Sequence, residues 1–218
     1  MKPIFALLSL VAALLLTGCA KPTQYDYSAF KQSKPRSILV LLPQNTSPEV
    51  EASHGFLSQA TLPLAEAGYY VFPVAVVEET FKQNGVSSPN DMHAVSIAKL
   101  RQIFGADAVL YLTVSQYGTS YQVISSDTRV SASAKLVDLR NGSVLWSGSA
   151  TASSTEDDSN SNGIFGMLLS ALVNQISSTM TDKSHDVAGV TSIRLLSAGT
   201  PNGILYGPRS LKYGKDAQ

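Results

Sequence analysis

A run of apolar residues from Ile4 to Leu16, closed by Thr17-Gly18 and then by Cys19, the chain's single cysteine, limits how this chain can be built. Lys2 supplies a positive start, and the run is about a dozen residues, too short to span a hydrocarbon core of about 30 Å. The layout is that of a bacterial secretory signal peptide whose cleavage site falls at a cysteine instead of an Ala-x-Ala pattern. Cutting after residue 18 of the 218 leaves 200, with the one thiol at the new amino terminus. A domain of that size has no disulfide available in an oxidising compartment. Its core alone must hold it together, which 200 residues allow.

Leu16-Thr17-Gly18-Cys19 resembles the lipobox of bacterial lipoproteins. The resemblance implies a signal peptide over residues 1–18 and lipidation of the Cys19 thiol, with acylation of the new amino group. One acyl chain holds a protein to a membrane marginally, whereas two or more anchor it durably. Ala20 stands where an aspartate would retain such proteins in the inner membrane, so the outer membrane is expected. With Cys19 acylated there is no cysteine nucleophile and no thiolate metal site. Lysine and arginine number 16, Lys2 included, against 16 acidic residues. The mature chain therefore lacks the basic excess that would suit nucleic acid.

Residues 19–36 read as a lipidated tether in which Tyr25, Tyr27 and Phe30 can pack back on the domain. An α/β domain is expected over 37–182. Ile38–Leu42 is an unbroken apolar run closed by Pro43, the pattern of a strand buried on both faces. A helix is expected from Pro48-Glu49 to Gly68, kinked or restarted at Pro63. A strand over Tyr69–Val74, a short helix over Glu78–Gln83 and a loop around Ser88-Pro89-Asn90 follow. Ser96 caps a helix ended by Gly105, and Ala108–Val114 is a third buried strand. Apolar strands alternating with helices argue for parallel pairing, with Ile38–Leu42 beside Ala108–Val114.

Between Tyr121 and Asp138 the pattern alternates, with Val130, Ala132, Ala134 and Leu136 on one face and Ser131, Ser133 and Lys135 on the other. Asn141-Gly142 turns the chain into Val144–Ala150, an antiparallel hairpin with one wet face. The expected fold is thus a mixed sheet of parallel central strands plus that hairpin, with helices on both faces. Residues 153–162 read as a polar loop, Ile164–Met180 as an apolar helix, and 183–218 as a Gly-, Pro- and Tyr-rich extension packing on the domain or a partner.

Val-Leu-Leu-Pro at 40–43, Leu-Ala-Glu-Ala-Gly-Tyr-Tyr-Val at 64–71, Phe-Gly-Ala-Asp-Ala-Val-Leu at 104–110 and Leu-Val-Asp-Leu-Arg-Asn-Gly-Ser-Val-Leu-Trp at 136–146 occur in one order. Together they resemble a superfamily of envelope lipoproteins that includes the curli secretion lipoprotein and the amino-terminal domain of TolB. From Tyr25-Asp26-Tyr27-Ser28 to Tyr206-Gly207-Pro208-Arg209 the chain is similar to a family of bacterial lipoproteins of unknown function known from Neisseria and other proteobacteria. The resemblance implies a TolB amino-terminal-like fold and work in envelope assembly and transport, with no catalytic residues to carry over.

The residues themselves offer no reaction centre. There is no Gly-x-Ser-x-Gly elbow, His-Glu-x-x-His or phosphate loop. His54, His93 and His185 lack ligand spacing and read as surface or helix-face residues. Asp107 can be a base at a strand end or a partner for backbone N–H groups, and Asp138 reads as a turn-former. Glu156, Asp157 and Asp158 can bind a cation weakly or be solvated, and Trp146 reads as a packing residue. No enzyme, cofactor or metal is expected.

Ile164–Val173 is apolar nearly all round, with Phe165, Leu168, Leu172, Ile176 and Met180 as one stripe and Ile164, Met167, Ala171 and Val173 outside it. Such a helix is buried on several sides, by the carboxy-terminal tail or by another subunit. A homo-oligomer is expected, a dimer first, and other envelope lipoproteins are candidate partners. The expected function is a non-enzymatic outer-membrane component of an envelope transport, secretion or assembly complex. The alternative is a periplasmic module binding a glycan, peptidoglycan or a small solute. Cys19→Ala is expected to abolish labelled palmitate incorporation and release the protein from membrane fractions; persistent membrane association would reveal a second anchor.

Overall fold

The computed structural model describes residues 25–121, 126–155 and 183–216. Cys19, Glu156, Asp157 and Asp158, and the helix expected over Ile164–Met180 lie outside them. In order, the elements are α1 (Ser28–Ser33), β1 (Ser37–Val40), β2 (Gln44–Asn45), α2 (Ala52–Glu66), β3 (Tyr70–Val71), α3 (Val74–Gln83), α4 (Pro89–Ala94), α5 (Ile97–Phe104), β4 (Ala108–Tyr121), β5 (Ser126–Asp138), β6 (Val144–Ser153) and α6 (Lys183–Leu196). The strands form one mixed sheet in the order β3-β1-β4-β5-β6, with β2 also paired to β4.

The parallel half follows from apolar runs without alternation. Ile38, Leu39, Val40 and Leu41 are all buried, and β1 pairs parallel with β3 and β4, placing Ile38 opposite Ala108 and Val40 opposite Leu110. The ladder is shorter than the apolar run, ending at Val40, although burial continues to Leu42. β3 is two residues instead of six, because Pro73, with φ −58°, presets a helix. Helix α3 therefore begins at Val74, taking up valines that read as strand. Phe72, Phe81 and Phe104 meet edge-on or tilted and tie α3 to α5.

Two local devices account for other departures. Asn45 Oδ1 accepts from the Ser47 amide and hydroxyl, and Asn45 Nδ2 donates to the Glu49 carbonyl. That side-chain turn delays α2 to Ala52. In the reading of 88–90 as loop, the Ser-Pro-x-Asp pattern was the overlooked signal: Ser88 Oγ accepts from the Asp91 amide and Pro89 opens α4. Ser96 and Gly105, φ +66°, bound α5 as their types require.

Helix α2 runs through Pro63 without stopping. Proline has no N–H to give the carbonyl four residues back, that of Gln59. The fully buried Ser192 of α6 supplies the missing donor, its hydroxyl bonding that carbonyl at 2.9 Å. Residues 183–196, expected to begin an irregular extension, are thus a helix. Val187, Ala188, Thr191, Ser192, Leu195 and Leu196 are its buried stripe, packed on α2, β5 and β6. Its hydroxyl residues hid the amphipathic period.

The antiparallel half is longer than its alternation suggested. β4 extends to Tyr121 and pairs along its length with β5, which pairs in turn with β6. Gly142, φ +78°, and the Asn141 side chain make the expected turn between β5 and β6. Extra residues Ser115 and Leu145 produce register shifts in β4 and β6. The segment after α6 is pinned by aromatic donors: Trp146 Nε1 to the Asn202 carbonyl at 2.9 Å, and the Tyr27 and Tyr69 hydroxyls to the carbonyls of Gly203 and Leu205. Among the described residues no helix is long and apolar enough to cross a membrane.

Ser192→Ala is expected to cost about 1–3 kcal/mol in urea unfolding, by stranding the Gln59 carbonyl. In a Pro63→Ala background, where an amide can fill that place, the cost should shrink to a few tenths, as in any coupled pair. Equal costs in both backgrounds would refute the substitution of one donor for the other.

Candidate functional site

The sequence-derived candidates do not converge. Asp107 Oδ2 accepts from the amides of Arg36 and Ser37, at 2.9 and 3.2 Å, and fastens the chain entering β1 to the start of β4. His54 pairs with Glu78, at 3.3 Å. His185 bonds the Gln59 amide. Trp146 is buried, as its packing role requires. Among the described residues no group of three or more His, Cys, Asp or Glu is placed to hold a metal.

Asp138 is more than a turn-former. It is 1% exposed, accepts from the Arg140 amide, guanidinium and the Ser33 hydroxyl, and so clamps the end of α1 to the β5–β6 turn. Burial pushes its carboxyl pKa up, but the hydrogen bonds from Arg140 and Ser33 outweigh it and hold the pKa below the ordinary carboxylate value. A depressed folded-state pKa gives stability that is present above the unfolded value of about 4 and is lost as pH falls through the folded one. Asp138→Asn is therefore expected to lower urea stability at pH 7 by about 1–3 kcal/mol, with the difference narrowing below about pH 4. A constant difference across that range would contradict the clamp.

What the fold does bring together lies on the sheet face away from α6. Pairing aligns Gln44, Thr113 and Ser133 as one row and Tyr111 and Lys135 as the next, since Gln44 faces Thr113, Thr113 faces Ser133 and Tyr111 faces Lys135. With His93 of α4, Val137 and Val144 they line an open cleft of about 580 Å³. That volume suits a small solute. His93 Nε2–H donates to the Leu42 carbonyl at 3.0 Å, and its ring meets Tyr111 edge-on at 5.2 Å. Burial, and then the Lys135 charge, lower the His93 pKa against the opposing pull of the Leu42 carbonyl. Burial raises that of Tyr111. Lys135 Nζ stands 5.5 Å from the Tyr111 ring centre.

No carboxylate lines the cleft, and the Lys135 ammonium and the hydroxyls of Tyr111, Thr113 and Ser133 have no hydrogen-bond or ion-pair partner among the described residues. The arrangement can hold an acceptor-rich molecule and contains no paired acid and base. Reading Ser133 and Lys135 as a wet face placed two of these residues correctly. The alternation carried no signal that Gln44, His93 and Tyr111 would join them.

Among the described residues the sheet ends, beside the cleft, at β6. The Ser154 amide donates to Thr128, so alternate residues Ala152, Ala150 and Gly148 bond β5, while Ser147, Ser149, Thr151 and Ser153 turn their backbone groups outward. Arg194 Nη1 donates to the outward Thr151 carbonyl at 2.8 Å, in keeping with that phase. Among the described residues nothing bonds the outward amides of Ser147 and Ser149.

A lipobox-like leader followed by an α/β domain fits the class of bacterial lipoproteins of the cell envelope. Within it the chain belongs to the GNA1162-like family, whose pattern, described as "Putative lipoprotein GNA1162-like", matches residues 25–209. It is 54% identical over 211 residues to the Putative lipoprotein NMB1124/NMB1162 of Neisseria meningitidis serogroup B, covering 96% of this chain and 97% of that one. The crystal structure of lipoprotein GNA1162 from Neisseria meningitidis aligns with a TM-score of 0.54 and 58% identity, over 66% of this chain and all of that one. The carboxy-terminal domain of LpoB from Salmonella enterica aligns at 19% identity and a TM-score of 0.40, over 66% and 92%.

Proposed function

We propose that the protein is a non-enzymatic outer-membrane lipoprotein that serves as a component of an envelope transport or assembly complex and works through protein contacts. The observation that carries this reading is the β6 edge. Natural sheets blunt long edge strands with charges, proline or a covering element. Val144–Ser153 has no charged residue and no proline. An edge of that kind is suited to strand addition. Its first partner in this reading is a second copy, because an antiparallel edge-to-edge pair is self-complementary about a two-fold axis. Ala20 after the acylated Cys19 favours the outer membrane.

The paired substitution Ser149→Lys with Thr151→Lys places four ammonium groups along such a junction in the dimer. Light scattering on the mature protein in detergent is expected to show a dimer in the parent and a folded monomer in the variant, with the melting profile retained. A parent that is monomeric at tens of micromolar, or a variant that stays dimeric, would overturn the edge as the contact. A second reading, a module binding a periplasmic solute, is favoured by the cleft over β4 and β5.

A further inference from the structure

We infer that the cleft between α4 and the β4–β5 face binds a hydroxylated monocarboxylate, a sugar acid or its glycan-linked form. This rests on the binding-module reading and adds the ligand's chemistry to it. Among the described residues the lining supplies one cation, Lys135, and no anion. His93 adds no second charge at neutral pH, since burial and the neighbouring Lys135 ammonium hold its pKa below the ordinary histidine value against the opposing pull of the Leu42 carbonyl. A single ammonium matches a single carboxylate, whereas a phosphate dianion would leave a charge uncompensated. Around it stand the hydroxyls of Tyr111, Thr113 and Ser133 and the Gln44 amide, whose Nε2 is held by Asn90 Oδ1 at 3.0 Å, leaving its carbonyl oxygen as an acceptor.

That mixture of hydroxyl donors and an amide acceptor is what a polyol needs, because each sugar hydroxyl both gives and takes a hydrogen bond. The rows Gln44–Thr113–Ser133 and Tyr111–Lys135 are neighbouring rungs of one sheet, so their groups are held by the ladder and not by a loop. Preorganisation of this kind lowers the ordering cost of binding. The lining mixes the polar side chains of Gln44, His93, Thr113, Ser133 and Lys135 with Tyr111, and its aliphatic members are the small Ala134, Val137 and Val144. Stacking of an apolar ligand therefore has little to work with, which separates this cleft from the usual greasy pocket.

The test is calorimetric titration of the mature protein in detergent with galacturonate, galactose, alanyl-alanine and inorganic phosphate, each in turn. Galacturonate is expected to bind with a Kd of about 1 mM or tighter. Galactose should bind at least about tenfold more weakly, the loss typical of a missing charge-assisted hydrogen bond. Alanyl-alanine and phosphate, which keep an anion but lack the ring hydroxyls, should bind at least about tenfold more weakly too. Lys135→Gln should weaken galacturonate by about tenfold and leave galactose unchanged, while Thr113→Val should weaken both sugars. Galactose bound as tightly as galacturonate would overturn the carboxylate and leave the binding module standing. Alanyl-alanine or phosphate bound more tightly would overturn the sugar acid as the ligand. No binding of any of the four would overturn both the inference and the module. Should Lys135→Gln fail to fold, the four-ligand comparison on the parent and the Thr113→Val titration decide the matter.

Discussion

Strand β4 is the member on which the rest of the structure depends. It accepts parallel partners β1 and β2 on one side and runs antiparallel with β5 for its whole length on the other. Without a disulfide, nothing else joins the two halves as continuously. Ala108, Leu110, Leu112 and Val114 are fully buried on the side facing α2 and α6, and Val109 is fully buried on the other. Tyr111 and Thr113, on that second side but further along, reach the cleft instead. One strand therefore serves as core at its start and as recognition surface further on. The change comes at Tyr111 and Thr113, where the face opens into the cleft bordered by His93 of α4.

Much of the frame was legible. The unbroken apolar run at 38–42 announced two-sided burial and a strand parallel to 108–114, and the alternation of 130–136 with Asn141-Gly142 announced the hairpin. The expectation that 108–114 is buried on both faces fails at Tyr111 and Thr113, which are half-buried where the sheet face opens into the cleft. What misled was residue type acting against tertiary context. Valines 74, 76 and 77 favour strand, yet Pro73 starts a helix there. Thr191 and Ser192 look like loop residues, yet they are fully buried in α6 because their hydroxyls find backbone carbonyls on Val187, Val130 and Gln59. Pro63 looks like a helix end, and the donor that lets α2 continue lies 129 positions later, at Ser192. Such long-range compensation leaves no local trace.

The candidate site was harder to read for the same reason. Its members come from β2, α4, β4 and β5, and the pairing that sets Gln44 beside Thr113 and Ser133 is a property of the sheet. The residues with a chemical reputation, Asp107, Asp138 and the histidines, are occupied holding chain segments together. Asp107 and Asp138 fasten the incoming chain at the same end of the β4–β5 pair, since Ala108, next to Asp107, and Asp138 are themselves a rung. The groups without a hydrogen-bond or ion-pair partner among the described residues, the Lys135 ammonium and three hydroxyls, are those that suit binding.

The same sheet order that buries β4 leaves β6 at the margin among the described residues, and that margin is the proposed surface of protein contact. Residue-level hydrogen exchange of the mature protein in detergent reads this directly, because neighbouring amides of β6 point in opposite directions. The amides of Gly148 and Ala150 bond β5 and should be protected under all conditions. Those of Ser147 and Ser149 should be equally protected at tens of micromolar protein and should lose protection on dilution. Exchange of Ser147 and Ser149 at open-chain rates at every concentration, with Gly148 and Ala150 still protected, would contradict an edge that works by pairing.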